Sequence, residues 1–542
     1  MNTLRTRSSR AAGAALAMAA LLLPACSGGG GGGSGVTPGP GPGPGPTRTP
    51  QTVVYVSEDG LHLFGIADGG GTPVALGSPA FTAIRSFAVS PDGAAVAWIG
   101  DCDTADQFEL YVRELAAAAP VKVSQLTHAY DDVQDLQWSP DSSRIAYRAD
   151  DNPQHRYEMF SVRRDGSGSY SAFGPSALGM VLPGYAWSPD GHYLAWLVQE
   201  SSAFELRLHD ATTAAPGSAL LQSTSGGRTM VDLAFSPDSR WLAFRSDLPV
   251  PASIAQGQFQ VFRAATDLSA PPQVANGNPS TTVKVGAYAW SPNSRWLWQT
   301  VLQRTTDDKV GVNLYDTAAG TSARIATTND FGAIAWAPGA DVLAFAADYD
   351  PATHAPSGQR RLWSYDPAQA ALTAIGTPSN GETLRDDLLA WSPDGALVAF
   401  ATRVNQNTQN RAFLALATGA TSPIVVTGTA NLEVFDLAWS PDGTRLGVLE
   451  LDQNAAYHPG YVQIVGDDGI ARATASLNTY YTSRRLQWTT DGKRLVFPEA
   501  TGGTSVQLDR LRCIGSDGTN GVMLGAPALA EPTYEIAVHQ LP

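Results

Sequence analysis

The sequence lacks the short motifs that identify common catalytic folds. Its 542 residues contain no Walker loop, no His-Glu-x-x-His motif, no Cys-x-x-Cys pair and no Gly-x-Ser-x-Gly elbow. The glycine run at residues 28–33 is not a phosphate cradle, because no strand and helix flank it. No nucleophile is evident beside a base. The sequence therefore gives no direct indication of catalysis.

Cysteine and basic residues are also scarce. Cys26, Cys102 and Cys513 are the only cysteines, and 35 basic residues stand against 50 acidic ones, for a formal charge of -15. Removing residues 1–25 takes away three arginines and no acids, which leaves a charge of -18. An acidic surface argues against nucleic acid and anionic lipid as direct ligands.

Long hydrophobic runs are absent as well. The apolar run at residues 11–23 falls short of the roughly 20 residues that a membrane-spanning helix needs. Basic residues precede this run and Leu23-Pro-Ala-Cys26 follows it, so residues 1–25 are predicted to be a signal peptide. The cleavage segment resembles a bacterial lipobox, which implies a lipid on Cys26. An ordinary secretory signal with an incidental cysteine is the alternative.

Residues 26–50 contain a glycine run and then alternating proline and glycine. Such a tract buries no apolar surface and is predicted to be a disordered tether between the lipid and a large domain at residues 51–542. Ser27, rather than Asp, follows the cysteine, which by resemblance to lipoprotein sorting implies the outer membrane, on its periplasmic or surface face.

The sequence is rich in one turn motif, Ser-Pro-Asp-Gly after an aromatic residue. Nine copies or variants recur at intervals of 46 to 55 residues. The residues that follow the aromatic position are Ser90, Ser139, Ser188, Ser236, Ser291, Ala337, Ser392, Ser440 and Thr489. A period near fifty with strand-like content indicates radial or solenoidal repetition.

Each copy is predicted to be a β-hairpin. Proline presets φ for the turn, aspartate accepts backbone hydrogen bonds, and glycine or serine tolerates the next position. Apolar residues alternate before the turn, as at Phe435, Leu437 and Trp439, and an apolar run follows it. A third and a shorter fourth strand complete each unit. Four strands per unit predict an all-β fold, the β-propeller.

The chain ends predict how the ring closes. Residues 53–76 supply three strands of a first blade but no innermost strand, and residues 534–539 align with residues 435–440. A C-terminal strand that joins the first blade gives ten blades in one ring without a free sheet edge. Two smaller propellers are the alternative. In a single ring Cys102 and Cys513 fall in separate blades and are expected to remain two thiols.

These hairpins resemble the propeller repeats of TolB, of tricorn protease and of prolyl oligopeptidase-type peptidases. The resemblance covers residues 51–542 and implies the fold more strongly than the activity, because one fold serves many functions. TolB has an additional α/β domain and the peptidases have a hydrolase domain. Neither has a counterpart in this sequence, which weakens any transfer of function.

Four acids occupy equivalent places near the predicted axis. They stand three residues before the aromatic position of a first strand, and they are Asp135, Asp232, Asp436 and Glu535. They could line the channel and bind a cation or a basic peptide. The alternative is that each accepts backbone hydrogen bonds from the adjacent blade.

Other acidic clusters lie in the connections between second and third strands. Asp348, Asp350 and His354 combine carboxylates with an imidazole in a predicted long loop at residues 348–359, and they are candidate ligand-binding residues. The clusters at Asp101, Asp103 and Asp106 and at Asp150 and His155 are interpreted as solvated loops. These connections vary in length, so they are the expected recognition face.

The leading functional hypothesis is a lipid-anchored, non-enzymatic scaffold that binds another envelope protein or a surface ligand. No cofactor is expected, and a bound cation is left open. The alternatives are a cell-surface hydrolase or cation-dependent enzyme that uses dispersed carboxylates on glycan or peptide, and a structural component of an assembly.

Overall fold

A computed structural model describes residues 51–540, and every described residue belongs to a compact unit that spans Arg48–Pro542. The gaps within the described range are residues 57–60, 78–82, 104–105, 128–130, 151–155, 169, 172–178, 214–217, 250–253, 277–282, 304–308, 329–330, 378–381, 405–409, 428–431, 453–459, 478–485, 500–509, 517–521 and 525–535. Cys26, the glycine-proline tether, His155 and Glu535 lie outside the described residues.

The described residues form ten antiparallel sheets and no helix, so the prediction of a ten-bladed propeller is confirmed. Blades 1 to 5 contain β1 (Gln51–Val56), β2 (Leu63–Ala67), β3 (Val74–Ala75); β4 (Ala83–Val89), β5 (Ala95–Asp101), β6 (Glu109–Glu114), β7 (Val121–Lys122); β8 (Val133–Trp138), β9 (Arg144–Ala149), β10 (Glu158–Arg163), β11 (Tyr170–Ser171); β12 (Gly179–Val181), β13 (Ala186–Trp187), β14 (Tyr193–Glu200), β15 (Ala203–Asp210), β16 (Ala219–Ser223); β17 (Met230–Phe235), β18 (Trp241–Ser246), β19 (Gln260–Ala265) and β20 (Gln273–Val274).

Blades 6 to 10 follow the same order. They contain β21 (Val283–Trp290), β22 (Trp296–Gln303), β23 (Lys309–Asp316), β24 (Thr321–Thr328); β25 (Phe331–Trp336), β26 (Leu343–Asp350), β27 (Ala355–Asp366), β28 (Ala371–Gly376); β29 (Glu382–Trp391), β30 (Leu397–Val404), β31 (Asn410–Leu416), β32 (Ile424–Val425); β33 (Glu433–Trp439), β34 (Arg445–Leu451), β35 (Gly460–Gly466), β36 (Ala471–Leu477); β37 (Gln487–Trp488), β38 (Arg494–Glu499), β39 (Arg510–Gly515) and β40 (Val522–Leu524). The last strand, β41 (Ile536–Gln540), completes blade 1.

Ring closure occurs as the repeat alignment predicts. β41 pairs antiparallel with β1, with Val53 opposite Val538, and it supplies the innermost strand of blade 1. The Arg494 guanidinium of blade 10 donates to the carbonyl of Asp68 in blade 1 at 2.6 Å, which ties the two ends of the array together. The first and last described strands thus meet in one blade.

The Ser-Pro-Asp-Gly segments form the turns between first and second strands. In blade 9 the Ser440 hydroxyl donates to Asp442 at 2.6 Å and accepts the amide of Arg445 at 3.0 Å. Asp442 also accepts the Thr444 amide at 3.1 Å, and Gly443 has φ 70°. Serine and aspartate satisfy the turn amides, and glycine accommodates the left-handed backbone.

The aromatic residue before each turn joins neighbouring blades. Its indole N–H donates to a carbonyl two residues before the turn serine of the preceding blade, or before Ala337 in blade 7, across 2.8 to 3.3 Å. The seven donors are Trp138, Trp187, Trp290, Trp336, Trp391, Trp439 and Trp488. Apolar clusters lie between the blades as well, such as the one that packs Ala412 of blade 8 against Val448 of blade 9.

Blade 4 departs from the four-stranded pattern. Its inner strand is divided into β12 and β13, both paired with β14. Pro183 has no amide hydrogen and Gly184 has φ 94°, so the segment between the two strands cannot continue the ladder. In the described part of the chain no helix is long and apolar enough to cross a membrane.

Candidate functional site

The acids predicted to line the axis lie at irregularities in the first strands. The register between first and second strands shifts beside Asp135 in blade 3, beside Asp232 in blade 5 and beside Asp436 in blade 9. A bulge breaks the alternation of a strand and redirects a side chain. The bulges therefore direct the three carboxylates toward partners that a regular strand would not offer.

Asp135 is bound by an arginine of its own blade. Arg148 on β9 donates from Nε to Asp135 Oδ2 at 2.9 Å and from Nη1 to the carbonyl of Val181 in blade 4 at 3.1 Å. The Tyr185 hydroxyl of blade 4 donates to the carbonyl of Ala146 in blade 3 at 3.3 Å. Burial, together with the Asp135 charge, raises the pKa of Tyr185 well above its ordinary value. We call Asp135, Arg148 and Tyr185 the first triad.

The same arrangement recurs two blades later. Arg245 donates from Nε to Asp232 Oδ2 at 2.6 Å and from Nη1 to the carbonyl of Val285 in blade 6 at 3.3 Å. The Tyr288 hydroxyl donates to the carbonyl of Ala243 at 3.0 Å, and burial raises its pKa. Asp232, Arg245 and Tyr288 form the second triad. Each triad links one blade to the next through an arginine and a tyrosine.

The triads present their acids unequally to solvent. The Asp135 and Asp232 side chains are 36% and 53% exposed, whereas Arg148 and Arg245 are 8% and 22% exposed. The arginines are the less exposed members, and their guanidinium groups lie over the rings of Tyr157 and Phe259. In both triads the guanidinium contacts Oδ2 of the aspartate, so each carboxylate is held in an ion pair within its own blade.

Asp436 has a different partner. Leu449 stands where the triads have arginine, and Leu486 follows in the next blade. Asp436 Oδ2 accepts the Leu486 amide of blade 10 at 2.7 Å, and Oδ1 accepts the Leu437 amide at 2.9 Å. For Asp436 the structure thus shows the interblade hydrogen bond that the structural alternative predicts. Glu535 lies outside the described residues.

Two further arginines reach across blade boundaries from first strands. Arg85 donates to the carbonyl of Val133 at 2.7 Å, and Arg385 donates to the carbonyl of Val434 at 2.7 Å. Both also pair with an acid of the next blade, Asp132 for Arg85 and Glu433 for Arg385. Arginine is therefore a repeated link between inner strands in the described blades.

The prediction of a long loop at residues 348–359 is wrong. β26 continues to Asp350 and β27 begins at Ala355, so these residues form an extended hairpin with a short turn. Asp348 Oδ1 accepts the amide and hydroxyl of Ser357, both at 2.7 Å, and the amide of Gln359 at 3.1 Å. Asp348 thus stabilises the bulge in the hairpin.

Asp350 and His354 belong to the turn of that hairpin. Asp350 accepts the Ala352 amide at 2.9 Å and the Thr353 hydroxyl at 3.0 Å, and these hydrogen bonds lower its pKa. His354 has φ 54°, and its Nδ1 lies 2.9 Å from the hydroxyl of the buried Tyr349. The three predicted ligands therefore have separate structural partners.

Metal ligands do not assemble elsewhere in the described residues. No group of three or more histidine, cysteine, aspartate or glutamate side chains there could hold a metal ion. Asp101 accepts the Asp106 amide at 3.1 Å, and Asp103 pairs with Lys122 at 3.3 Å. Cys102 and Cys513 are unbonded, as expected, and burial raises the pKa of Cys102 to about 12.

A cleft of about 420 Å³ lies between blades 4 and 5. Tyr193, Leu208 and Asp210 line it from blade 4, and Asp267 and Leu268 line it from blade 5. Asp210 and Asp267 each cap a turn through the amides of Thr212 and Ser269. None of the predicted site residues contributes to this cleft.

Sequence reasoning missed the arginines and tyrosines of the triads. In both triads the arginine follows the aspartate by thirteen residues, and the tyrosine stands three residues before the next turn serine. The repeats carry this signal in the sequence, because both spacings recur in the two triads.

A scan against protein-family models and a search of curated proteins found no match. Solved structures match this chain at low identity. An oligogalacturonate lyase in complex with manganese is 12% identical, with 68% of this chain and 96% of that chain covered and a TM-score of 0.35. Porphyromonas gingivalis dipeptidyl peptidase 4 is 11% identical, with coverages of 82% and 64% and a TM-score of 0.45. A putative TolB from Agrobacterium tumefaciens is 18% identical, with coverages of 52% and 90% and a TM-score of 0.27. The structures that match this chain thus include a putative TolB, a lyase and a peptidase.

Proposed function

We propose that this protein is a lipid-anchored β-propeller of a bacterial envelope that binds another envelope protein or a surface ligand without catalysing a reaction. One observation carries the proposal. The candidate carboxylates that the structure describes are engaged by arginines, backbone amides or turn hydroxyls, as in the pairing of Asp135 with Arg148 and of Asp436 with Leu486. Acid–base catalysis requires instead two carboxyl groups that converge on one substrate position.

The binding face is proposed to be the one with the connections between second and third strands. The extended hairpin of β26 and β27 projects there, and its turn residues are exposed. Surface connections that differ between blades are suited to recognition, while the repeated turns on the opposite face serve the fold. The lipid on Cys26 and the tether would hold this face near other envelope components.

Affinity capture tests the proposal. The full-length protein and its Cys26→Ser variant would be captured from detergent-solubilised envelope after brief crosslinking. We expect a specific protein or glycan to be enriched with the wild type and depleted with the variant. Equal recovery from both, or recovery of nothing above the variant, would contradict an anchored binding function.

The face is tested by two matched variants. Replacing residues 351–354 with Asn-Gly shortens the hairpin while keeping its strands, and Lys493→Glu changes an exposed turn residue on the other face. We expect capture to weaken only with the shortened hairpin. Weakening only with Lys493→Glu would place binding on the turn face.

A further inference from the structure

Glu450 departs from the repeat in a buried position. It stands ten residues after the turn serine of blade 9, and its side chain is fully buried. The corresponding residues in blades 2 to 8 are small or uncharged, namely Gly100, Ala149, Val198, Ser246, Val301, Ala347 and Thr402. Blade 10 has Glu499 at this position, but a buried acid where blades 2 to 8 have none needs a physical explanation.

The Glu450 carboxyl is incompletely hydrogen-bonded. Its Oε2 accepts from Gln463 Nε2 at 2.7 Å, whereas its Oε1 has no hydrogen-bond partner. The Thr427 side chain of blade 8 interacts with it and also accepts the Ala412 amide at 3.0 Å. Burying an ionised carboxylate with so few hydrogen-bond donors is unfavourable in free energy, and burying the neutral acid is much less so.

The carboxyl lies in the seam between blades 8 and 9, which we define by the apolar cluster of β30 and β31 with β34. Leu446 and Val448 of β34 belong to that cluster, and strand alternation places Glu450 on the same side as both. Thr427, which follows β32, contacts it from blade 8. A negative charge on Glu450 would therefore lie beside the apolar side chains of the seam.

Charged groups around the seam pair with one another and not with Glu450. Glu433 on β33 accepts from Arg385 on β29 at 3.0 Å and from Arg403 on β30 at 2.9 Å. The other titratable side chains described on β29–β35 are Glu382 and Arg411, which pair at 3.5 Å, with Asp436, Tyr461 and Arg445, and Asp452 adjoins β34. Arg445 donates to the Thr444 carbonyl at 2.8 Å, at the opposite end of β34 from Glu450. In the described structure no cation compensates the Glu450 carboxylate.

We propose that Glu450 makes the seam between blades 8 and 9 a pH-sensitive joint, closed when the carboxyl is protonated and prone to local opening when it ionises. Burial raises the pKa of Glu450 to about 7, and the Thr427 interaction only partly offsets this. An opened seam exposes the group to water, where its pKa is roughly 4.3. Opening therefore becomes easier as the pH rises from about 4.5 to 7 and changes little above that range.

Amide hydrogen exchange of the full-length protein tests this joint. Exchange would be measured at about pH 5 and about pH 8.5 and corrected for intrinsic rates. We expect the opening constants of β31 and β34 amides to rise by up to a few hundred-fold at the higher pH, because the pKa difference sets that limit. The amides of β22, where Val301 occupies the equivalent position, serve as the internal reference.

Glu450→Gln keeps the shape of the side chain and removes its titration. We expect this variant to lose the pH dependence in β31 and β34. An unchanged dependence in the variant would overturn the proposal. So would equal wild-type protection at both pH values, and that measurement does not require the variant to fold. A carboxyl carbon NMR titration of Glu450 in the wild type is expected to be centred near neutral pH, and a midpoint near that of an exposed glutamate would also overturn it.

Discussion

Tryptophan serves two purposes at the residue scale. At the position before the turn it buries a large apolar ring and places its N–H on a carbonyl of the preceding blade, as Trp488 does with Ala438 at 2.8 Å. Phe235 in blade 5 provides the ring without the donor. The hydrogen bond is directional, so it fixes how neighbouring blades meet in a way that apolar contact alone does not.

Trp488→Phe tests the indole hydrogen bond. We expect it to cost about 1 kcal/mol more in the free energy of unfolding than Trp196→Phe, because it leaves the Ala438 carbonyl without its donor. Trp196 is the matched control, since it is fully buried and its Nε1 has no hydrogen-bond partner. Urea denaturation followed by circular dichroism would measure both variants. Equal losses of unfolding free energy in the two variants would show that the Trp488 indole stabilises the protein through packing alone.

At the element scale, the turns also connect blades. Ser142, Ser239 and Ser294 replace the turn glycine and have φ between 61° and 65°. Their hydroxyls accept the amide of the turn aspartate in the preceding blade, as Ser294 does from Asp238 at 2.9 Å. Serine in this conformation carries a steric cost that glycine does not, and the interblade hydrogen bond offsets it.

Substitution of Ser294 separates these two effects. Ser294→Gly removes the hydrogen bond and relieves the steric strain of the positive φ, so we expect the free energy of unfolding to change little. Ser294→Ala removes the hydrogen bond and keeps the strained φ, so we expect a loss of about 1–2 kcal/mol. The comparison uses chemical denaturation of both variants. If glycine were as destabilising as alanine, backbone strain would not matter at this turn.

The turn aspartates predict how the protein responds to acid. Burial raises the pKa of each, but the hydrogen bond from the turn serine and those from nearby amides lower it overall. The five residues are Asp92, Asp141, Asp190, Asp394 and Asp442. A carboxyl whose pKa is lowered by folding stabilises above its unfolded pKa and loses that contribution as the pH falls through the folded value.

We therefore expect stability to fall steeply below about pH 4, as the turn aspartates are protonated together. Melting temperatures between about pH 2 and pH 5 would show it. The double variant Asp394→Asn, Asp442→Asn should show a shallower fall of the melting temperature at acid pH and a lower stability near neutral pH. An unchanged slope of melting temperature against pH in this variant would contradict the role given to the turn aspartates.

At the scale of the whole molecule, the ring depends on a strand from the far end of the chain. β41 pairs with β1, and Arg494 reaches Asp68 beside it. Without β41, the backbone of β1 would present an open edge in the middle of an otherwise closed ring. Exposed strand edges recruit other strands, which makes closure important for solubility as well as stability.

Deletion of residues 534–542 tests the closure. We expect the truncated protein to melt at a lower temperature and to form dimers or larger species through the free edge of β1. Size-exclusion chromatography with light scattering, at several concentrations, would detect the association. A truncated protein that remained monomeric with the melting temperature of the full chain would show that closure by β41 is dispensable.

Sequence alone determined the repeat, the four-stranded unit, the ten blades and the strand that closes them, because turn chemistry and strand alternation are local signals repeated nine times. It also located Asp135, Asp232 and Asp436. Tertiary structure decided what those acids contact, since Arg148, Arg245 and the Leu486 amide reach them only after the chain has folded. It likewise turned a predicted loop at Asp348 into a hairpin and buried Glu450 in a seam, because pairing between strands and contact between blades are non-local.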